Sequence, residues 1–336
     1  MAKYLDNSGL ARVWDKVKSH VSGQPFVRYD SQSLSDAYKL QARTNIDAAK
    51  SDAHTNPNLL DNAYFVGGGS QLGDGIFPIN QRGQTSYTVT AVQLDRWHIF
   101  SYSGGIVMTL AAAGMNLHLG TNAGDEIAQI IPSNMVEVGE TYTFSVQYQS
   151  GDIRTLTFVF SSSTIIESAD QFRFHIIPSW GGGAFFGILN KGDAAARDLQ
   201  LRAVKLEKGT VSTLANDPPP DFGEELRKCQ RYFTRLQTGI QHSIFGTGVV
   251  EAGNIVACAF ELPTVMRVSG TASAVVNNLY GYDGSNTYTV SGVYAFRQSG
   301  ATPIASVWCG VTATAGTWLQ IRGNDGSAYI DISADL

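Results

Sequence analysis

The stretch DPPPDFGEELRKCQRYFTR, at residues 217–235, separates two long tracts rich in Gly, Ser and Thr. Its three consecutive prolines lack amide donors and hold the backbone extended. After them, Glu224 and Glu225 precede Arg227 and Lys228, an order of charges that suits the helix dipole and allows ion pairs along one helix face. The stretch therefore predicts a Pro-rich hinge and a short helix between two modules of β-structure.

Composition also favours β-rich modules. The chain has 336 residues, which is enough for two or three domains with a core each. Charged residues make up only 16% and glycine accounts for 35 positions, a balance that favours antiparallel sandwiches with many turns over helical bundles. The net charge of −5 offers no basic patch, so we expect no nucleic-acid partner.

Cysteine usage and the N-terminus indicate where the protein is made. Cys229, Cys258 and Cys309 form no CxxC motif and are odd in number, which argues against a disulfide framework and for a reducing cytoplasm. The first residues lack the apolar region of a signal peptide, and no apolar run reaches the length of a membrane span. We expect synthesis in a bacterial host cytoplasm, no signal peptide and no insertion into a membrane.

Residues 1–22 predict an amphipathic helix, and a second short helix is expected at residues 33–49. Apolar residues of the first helix recur at helical spacing: Leu10, Val13, Trp14, Val17 and Val21. A stripe this narrow has no partner within its own segment. Two interpretations stay open: docking on the protein's own domain, or association with other copies or a larger assembly.

Alternating apolar and polar residues predict antiparallel strands in the two tracts that flank residues 217–235. The alternation in the first tract is clear at residues 142–148, 156–160 and 172–176. In the second tract, short strand candidates are separated by turns rich in Gly and Asn. We therefore predict a mainly β fold, in which short N-terminal helices precede two antiparallel, jelly-roll-like β-sandwich modules.

Two segments near the N-terminus resemble bacteriophage tail proteins. The run LSDAYKLQARTNIDAA, at residues 34–49, is similar to the pattern LS-x-x-x-K-x-QAR-x-NI-x-A that recurs in tail fibres and prophage tail proteins. The match is carried by Leu34, Lys39, Gln41, Ala42, Arg43, Asn45 and Ile46. In that family the segment forms a short, usually trimeric, helical link between fibre modules. The opening KYLDNSGLARVWDKVK is similar to the start of many tail proteins from phages of gut bacteria.

A longer resemblance spans residues 58–235. It is to a jelly-roll module common in prophage tail proteins and similar in architecture to carbohydrate-binding modules. The matching segments are NLLDNAYF at 58–65, NQRGQTSY at 80–87, DRW at 95–97, LEKG at 206–209 and EELRKCQRYF at 224–233. The ending YIDISADL resembles the last strand of the terminal domain that follows this linker in such proteins, which usually lies at the fibre tip.

These resemblances imply four parts and a role. Residues 1–57 would attach to other tail or baseplate proteins and form a homotrimer, and residues 58–216 would be a jelly-roll β-sandwich like a carbohydrate-binding module. Residues 217–235 would be the hinge, and residues 236–336 a C-terminal β-sandwich at the tip. The family implies a location in the virion tail and adhesion to the bacterial surface, with a surface glycan as the expected receptor.

No motif indicates catalysis, a metal or a cofactor. The HExxH and GxSxG patterns are missing, and the six histidines show no pair at helical spacing. The Gly-rich loop at residues 67–75 lacks the Lys-Ser/Thr pair of a phosphate cradle. Asp283 and Asp325 fit Asx turns better than a Ca²⁺ loop. We therefore predict no enzyme activity, no cofactor and no metal site.

Aromatic residues beside polar ones give the candidate carbohydrate-binding positions. Trp180 precedes three glycines, and Tyr280 and Tyr282 fall in a turn with Asp283 and Asn286. Exposed rings of this kind stack on pyranose faces while neighbouring amides and carboxylates bond to hydroxyls. The alternative is that each ring covers the end of a sandwich. The strand-like tryptophans are Trp97, Trp308 and Trp318, of which the first is expected in the core.

The function favoured by these observations is that of a phage tail fibre or receptor-binding protein. Two alternatives stay open. One is a purely structural tail or baseplate component, in which exposed aromatic residues anchor other proteins. The other is a polysaccharide depolymerase that uses a carboxylate pair of the first module, although the long parallel-β repeats usual in depolymerase fibres are not found in the sequence.

Overall fold

The computed structural model describes residues 11–12, 14–16, 55–68, 76–88, 91–101, 105–267, 273–298 and 302–334. The chain divides into two units, Met1–His54 and Thr55–Leu336. In the first unit, residues 11, 12 and 14–16 are helical, in agreement with the predicted amphipathic helix. The second predicted helix, at residues 33–49, lies outside the described residues, as does the segment that resembles the trimeric link.

The first part of Thr55–Leu336 is built from two six-stranded sheets. Its strands are β1 (Ser86–Tyr87), β2 (Ala91–Leu94), β3 (Trp97–Phe100), β4 (Val107–Ala111), β5 (Gly114–Leu119), β6 (Glu126–Pro132), β7 (Thr141–Tyr148), β8 (Ile153–Val159), β9 (Ile165–Ser168), β10 (Phe172–Trp180), β11 (Gly183–Asn190) and β12 (Arg197–Lys208). The sheets run β1-β4-β5-β12-β7-β8 and β2-β3-β6-β11-β10-β9. Neighbouring strands are antiparallel in both.

One hydrophobic core joins these two sheets. Phe144 of β7 meets Phe174 of β10 with ring centroids 5.1 Å apart, and Phe186 of β11 lies 6.0 Å from Phe144. Trp97 is fully buried, and its Nε1 donates to the carbonyl of Asn62 at 2.9 Å. The prediction of a mainly antiparallel β fold is confirmed for this part of the chain, and Trp97 lies in the core as expected.

The predicted short helix is α1 (Phe222–Gln230). It begins after the N-cap residue Asp221, whose Oδ1 accepts a hydrogen bond from the amide of Glu224 at 2.8 Å. Lys228 Nζ donates to Glu225 at 2.6 Å in an i,i+3 pair. The capping residue and the charge order explain why the helix forms directly after the prolines.

Residues 231–235 form a packed junction after α1. The guanidinium of Arg96 lies 3.4 Å from the centroid of the Tyr232 ring, and that of Arg82 lies 3.6 Å from the centroid of the Phe233 ring. Both arginines belong to the first part of the unit. The aromatic pair of the CQRYF sequence is therefore held by cation–π contacts to that part.

Arg235 binds the junction to the last part of the chain as well. Its Nε and Nη2 donate to the two carboxylate oxygens of Asp331, each at 2.7 Å, and its Nη1 donates to the carbonyl of Arg82 at 2.9 Å. Gln81 Nε2 donates to the carbonyl of Phe233 at 2.8 Å. The segment that the sequence predicts to be a hinge thus makes ion-pair, stacking and backbone contacts on both sides.

The last part contains a small sheet and a barrel. Its strands are β13 (Phe233–Gln237), β14 (Ile244–Glu251), β15 (Ile255–Glu261), β16 (Ser273–Asn277), β17 (Leu279–Tyr282), β18 (Thr287–Gln298), β19 (Ile304–Val311), β20 (Trp318–Gly323) and β21 (Tyr329–Ser333). Strand β21 lies between β13 and β16 in the three-stranded sheet, and β14-β15-β19-β18-β17-β20 form a closed barrel.

The barrel corrects the prediction of a β-sandwich at residues 236–336. Strand β14 pairs with β20 over most of its length and with β15 near its end, which closes the ring. Two glycines of β14 permit its close approach to β15. A Cβ at Gly246 would lie 2.8 Å from the Cβ of Cys258, and a Cβ at Gly248 would collide with the carbonyl oxygen of Ala257. Because strand alternation is the same in a sandwich and in a barrel, the sequence pattern does not distinguish them.

Candidate functional site

Strand β20, WLQIRG, shows which side chains point out of the barrel. Leu319 and Ile321 are buried in the barrel core, at 0% and 1% exposure. Alternation along the strand therefore places Trp318, Gln320 and Arg322 on the outside. The ring of Trp318 is 48% exposed.

The neighbouring strand β17, LYGY, presents its tyrosines to the same side. Leu279 and Gly281 are buried and alternate with Tyr280 and Tyr282, which are partly exposed. Strands β17 and β20 are adjacent in the barrel. Together they form one continuous surface, which we call the aromatic face: Tyr280, Tyr282, Trp318, Gln320 and Arg322.

Strand register sets the neighbours on the aromatic face. Tyr280 is opposite Arg322, and Tyr282 is opposite Gln320, so that the Cβ atoms of each pair lie about 5 Å apart. The guanidinium carbon of Arg322 is 4.4 Å from the centroid of the Tyr282 ring, a cation–π contact. Aromatic and polar side chains therefore stand next to one another both along and across the strands.

Hydrogen bonds orient the polar groups of the aromatic face. Arg322 donates from Nε to Gln320 Oε1 at 2.8 Å and from Nη2 to the same oxygen. The Tyr282 hydroxyl donates to the carbonyl of Gly284 at 2.7 Å, and the Tyr280 hydroxyl lies 2.7 Å from His242 Nδ1. Side chains held in this way lose less entropy when a ligand binds.

Tyr280 and Tyr282 are among the positions predicted from the sequence, whereas the three members of the face on β20 are not. A signal for them was present, because Gln320 and Arg322 share their strand face with Trp318 and are both polar. What the sequence did not provide was the pairing of β20 with β17, since these strands are distant in the chain.

Asp283 and Asn286 build the turn that follows β17. The Asp283 carboxylate accepts from the amides of Ser285 and Asn286 at 2.8 and 2.6 Å, from Asn286 Nδ2 at 3.2 Å and from the Tyr288 hydroxyl at 2.7 Å. These bonds, above all the one from the Asn286 amide, hold the pKa of Asp283 below its ordinary value. The Asp283 oxygens are thus engaged in an Asx turn beside the aromatic face, and sugar binding by Asp283 and Asn286 stays a prediction.

Trp180 lies on a different surface. It is the last residue of β10, directly before the three glycines, and its ring is 46% exposed. The ring packs at a steep angle against Phe100 and Phe185, with centroid distances of 6.5 and 6.0 Å. Strand β10 belongs to the sheet β2-β3-β6-β11-β10-β9, so Trp180 and the aromatic face are two separate candidate surfaces.

A carboxylate–imidazole pair lies on the same sheet as Trp180. His175 Nδ1 is 2.9 and 3.0 Å from the two carboxylate oxygens of Glu126. Burial raises the pKa of Glu126, and the hydrogen bond from His175 opposes that rise. A raised carboxyl pKa suits proton transfer. Glycoside hydrolysis, however, needs a second converging carboxylate, which this pair does not provide.

A polar groove of about 260 Å³ lies at the end of β7 and β8 and brings carboxylates together. The carboxylates in its lining are Asp152, Asp170 and Asp198. Arg154 pairs with Asp170 at 3.1 Å, and Asp152 accepts from the Ser150 hydroxyl at 3.0 Å. Asp198 Oδ1 lies 2.7 Å from His118 Nδ1. All three acids are therefore engaged within the protein, as is typical of a solvated polar surface.

Comparisons with known proteins do not assign the chain to a family. No protein-family model matches it, and no curated protein matches it. Across the described ranges, no group of three or more His, Cys, Asp or Glu side chains is arranged to hold a metal ion. Among helices formed by the described residues, none is long and apolar enough to cross a membrane.

Proposed function

We propose that the chain is a tail-fibre-type receptor-binding protein that attaches to bacterial surface glycans through the aromatic face. The observation that carries the proposal is the outward grouping of Tyr280, Tyr282 and Trp318 with Gln320 and Arg322. Flat rings stack on the apolar faces of pyranose rings, and amide and guanidinium groups bond to sugar oxygens. An open surface that holds both kinds of group suits a polysaccharide better than an enclosed small ligand.

The other parts of the chain take their proposed roles from the resemblance to tail proteins. Residues 1–57 would join the fibre to other tail or baseplate proteins of the virion and form a homotrimer. Residues 58–216 would be a jelly-roll sandwich like that of carbohydrate-binding modules, which two antiparallel sheets around one core support. The barrel would then stand at the fibre tip, with the aromatic face toward the host.

An open face binds sugar weakly, and the fibre compensates by the number of its sites. Three copies in a homotrimer and several fibres on a particle would hold many sites near one surface. Linked sites of this kind raise the overall affinity by roughly 10²–10⁴ without any new contact. Each single site still releases quickly, so that a particle can move over the surface before it commits.

Two other functions draw on parts of the same structure. In a purely structural tail or baseplate component, the exposed Trp318 and its cross-strand neighbour Val249 would be covered by a partner protein. A polysaccharide depolymerase would use carboxylates such as those of the polar groove at Asp152 and Asp170. Both are alternatives that the following experiment distinguishes.

Binding of fluorescent full-length protein to whole bacteria and to purified surface polysaccharides tests the proposal, with reducing ends assayed in parallel. Trp318→Ala should weaken saturable binding about tenfold, or ~1.4 kcal/mol. Its melting temperature should stay near that of the wild type, because the ring is half exposed. Trp180→Ala removes a tryptophan of similar exposure from the first part, and it serves as the matched control that should bind like the wild type.

Each other outcome favours a different conclusion. Binding that is lost in Trp180→Ala and kept in Trp318→Ala would move the site to the first part of the unit. Absence of binding to every surface tested would favour the structural component, and new reducing ends would favour the depolymerase.

A further inference from the structure

We propose that the aromatic face selects acidic glycans, with Arg322 as the residue that binds the sugar carboxylate. The inference rests on the proposed function and adds the class of receptor, namely a polysaccharide that contains uronic acids. It follows from the hydrogen bonds that Arg322 and Gln320 make within the protein and from the N–H donors that these bonds leave unused.

Arg322 carries a positive charge that no carboxylate among the described residues neutralises. Its hydrogen bonds run from Nε and Nη2 to the amide oxygen of Gln320. By contrast, several other arginines are ion-paired: Arg82, Arg96, Arg154, Arg197 and Arg235. In a chain of net charge −5, Arg322 thus offers a cation on an exposed surface to an anion from outside.

The two bonds to Gln320 occupy one edge of the guanidinium group. The N–H groups at its far end remain available for a ligand. Nη1 and the second hydrogen of Nη2 point in parallel and bond to no residue that the structure describes. Such a pair of donors matches the two oxygens of a carboxylate in bidentate geometry. Because the guanidinium also stacks on Tyr282 at 4.4 Å, the pair is oriented before the ligand arrives.

Gln320 adds a further donor. Its Oε1 accepts from Arg322, which orients the amide so that Nε2 points away from the guanidinium. Within the described part of the chain, Nε2 bonds to no other residue. The polar centre of the face therefore consists of N–H donors, and a carboxylate satisfies such donors more strongly than a neutral hydroxyl.

The acid nearest to the face in sequence does not compete for Arg322. Asp283 directly follows Tyr282, but its carboxylate is engaged by Ser285, Asn286 and Tyr288. The turn therefore leaves the guanidinium to an outside ligand.

Polymers of galacturonate and of glucuronate, each beside its carboxyl-reduced derivative, test the inference. Reduction converts every carboxyl group to a neutral hydroxymethyl group and keeps the sugar backbone. The full-length protein is titrated with each polymer by calorimetry or fluorescence. The wild type should bind at least one acidic polymer about tenfold or more tightly than the reduced form of that polymer.

Variants of Arg322 connect the preference to this residue. Arg322→Gln should abolish the preference and keep binding of the reduced polymer, because the rings remain. Arg322→Lys keeps the charge but loses the planar pair of donors, so it should keep only part of the preference. Arg297→Gln is the control, because Arg297 of β18 lies 5.5 Å from the Trp308 ring of β19, away from the aromatic face; it should bind like the wild type.

The contrary results separate this inference from the proposed function. Equal binding of acidic and reduced polymers, or a preference that survives Arg322→Gln, would overturn the inference alone. So would binding to bacteria or to a glycerol-phosphate polymer without binding to any uronic-acid polymer. Failure to bind every polymer and every bacterial surface would overturn the proposed function itself.

Discussion

At the scale of single residues, Asp283 shows how a carboxylate can serve the backbone instead of a ligand. Its four hydrogen bonds all come from groups within residues 283–288. A polar residue beside an exposed ring is therefore not enough to identify a sugar site. The useful quantity is the hydrogen-bonding capacity that remains after folding, which is small at Asp283 and considerable at Arg322 and Gln320.

The charge of Asp283 should make the stability of the protein depend on pH. Because the fold holds the pKa of Asp283 below its ordinary value of 3.8, the ionised carboxylate stabilises the fold above that value. The contribution is lost as the pH falls below it. Asp283→Asn keeps an acceptor for the turn but removes the charge. We expect a lower melting temperature than wild type at neutral pH, and a difference that shrinks between about pH 5 and about pH 3. Thermal scans across this range measure the difference in melting temperature between the two proteins. A difference that does not vary with pH would contradict the prediction.

Arg235 should contribute more to stability than an exposed arginine that is also ion-paired. Its side chain and that of Asp331 are 15% and 18% exposed, and it donates to the Arg82 carbonyl as well. We expect Arg235→Gln to lower the free energy of unfolding by about 2 kcal/mol. Arg154→Gln breaks the more exposed pair with Asp170 and should lower the free energy of unfolding less, because solvent screens an exposed ion pair. Urea denaturation of both variants makes the comparison, and equal losses would show that the junction is not stabilised in this way.

Burial of individual tryptophans could be predicted only in part. Trp97 lies in the strand-like stretch LDRWHIF, and the structure confirms that its ring is in the core. Trp318 alternates with Leu319 and Ile321, so hydrophobicity alone makes both faces of its strand candidates for burial. The polar neighbours that share a strand face with Trp318 indicate that its ring points outward. They can be used for this only when the segment is known to be a strand.

At the scale of elements, α1 was predictable because its causes are local. The prolines, the capping residue Asp221 and the order of Glu and Lys side chains all lie within a few positions of one another. The barrel was not predictable in the same way. Its closure depends on the pairing of β14 with both β15 and β20, and such long-range register leaves no short pattern in the sequence.

The closure of the barrel should be sensitive to a single methyl group. Gly248→Ala would push a Cβ into the carbonyl oxygen of Ala257 on β15, and we expect it to lower the free energy of unfolding by about 2 kcal/mol. Gly223→Ala is the control, because Gly223 lies in α1 and a Cβ there would meet its nearest neighbour, Asp221, at 3.5 Å. It should stabilise the protein by about 0.5 kcal/mol. Urea titrations measure both, and a neutral Gly248→Ala would show that the strands can separate without cost.

At the scale of the whole molecule, the junction should keep the two parts of Thr55–Leu336 together after cleavage. Val211 is 68% exposed in the connection between β12 and α1, which makes this loop accessible to a protease. We expect the two fragments from a cut there to elute as one particle in size-exclusion chromatography, because Arg235 and Gln81 cross the junction. Fragments that separate and stay folded would support independent modules joined by a hinge.

Trimer formation is a second prediction at this scale. It rests on the similarity of residues 34–49 to the helical link of tail fibres, and these residues lie outside the described ranges. Light scattering of the full-length chain should give three times the mass of one copy. Replacing Leu34 and Ile46 together by Asp should lower the mass to one copy if the link holds the trimer. A single-copy mass for the wild type would contradict the homotrimer.

Composition and alternation were sufficient to predict a mainly β molecule, because both reflect every strand. They were not sufficient to locate the proposed ligand surface. The aromatic face combines residues of β17 and β20, which the register of the barrel brings together, and its three aromatic side chains are apolar enough to resemble core residues. The sequence therefore indicated the class of fold more fully than the site.

The closed ring of the barrel has a consequence for how copies of this protein could pack side by side. An open sheet ends in strands whose outer amides and carbonyls can pair with a strand of a neighbouring molecule. The strands at the ends of the two six-stranded sheet orders are β1, β8, β2 and β9. In the ring formed by β14-β15-β19-β18-β17-β20 every strand has two partners. In the fibre proposed above, neighbouring barrels could therefore not extend one another into a shared sheet through this ring.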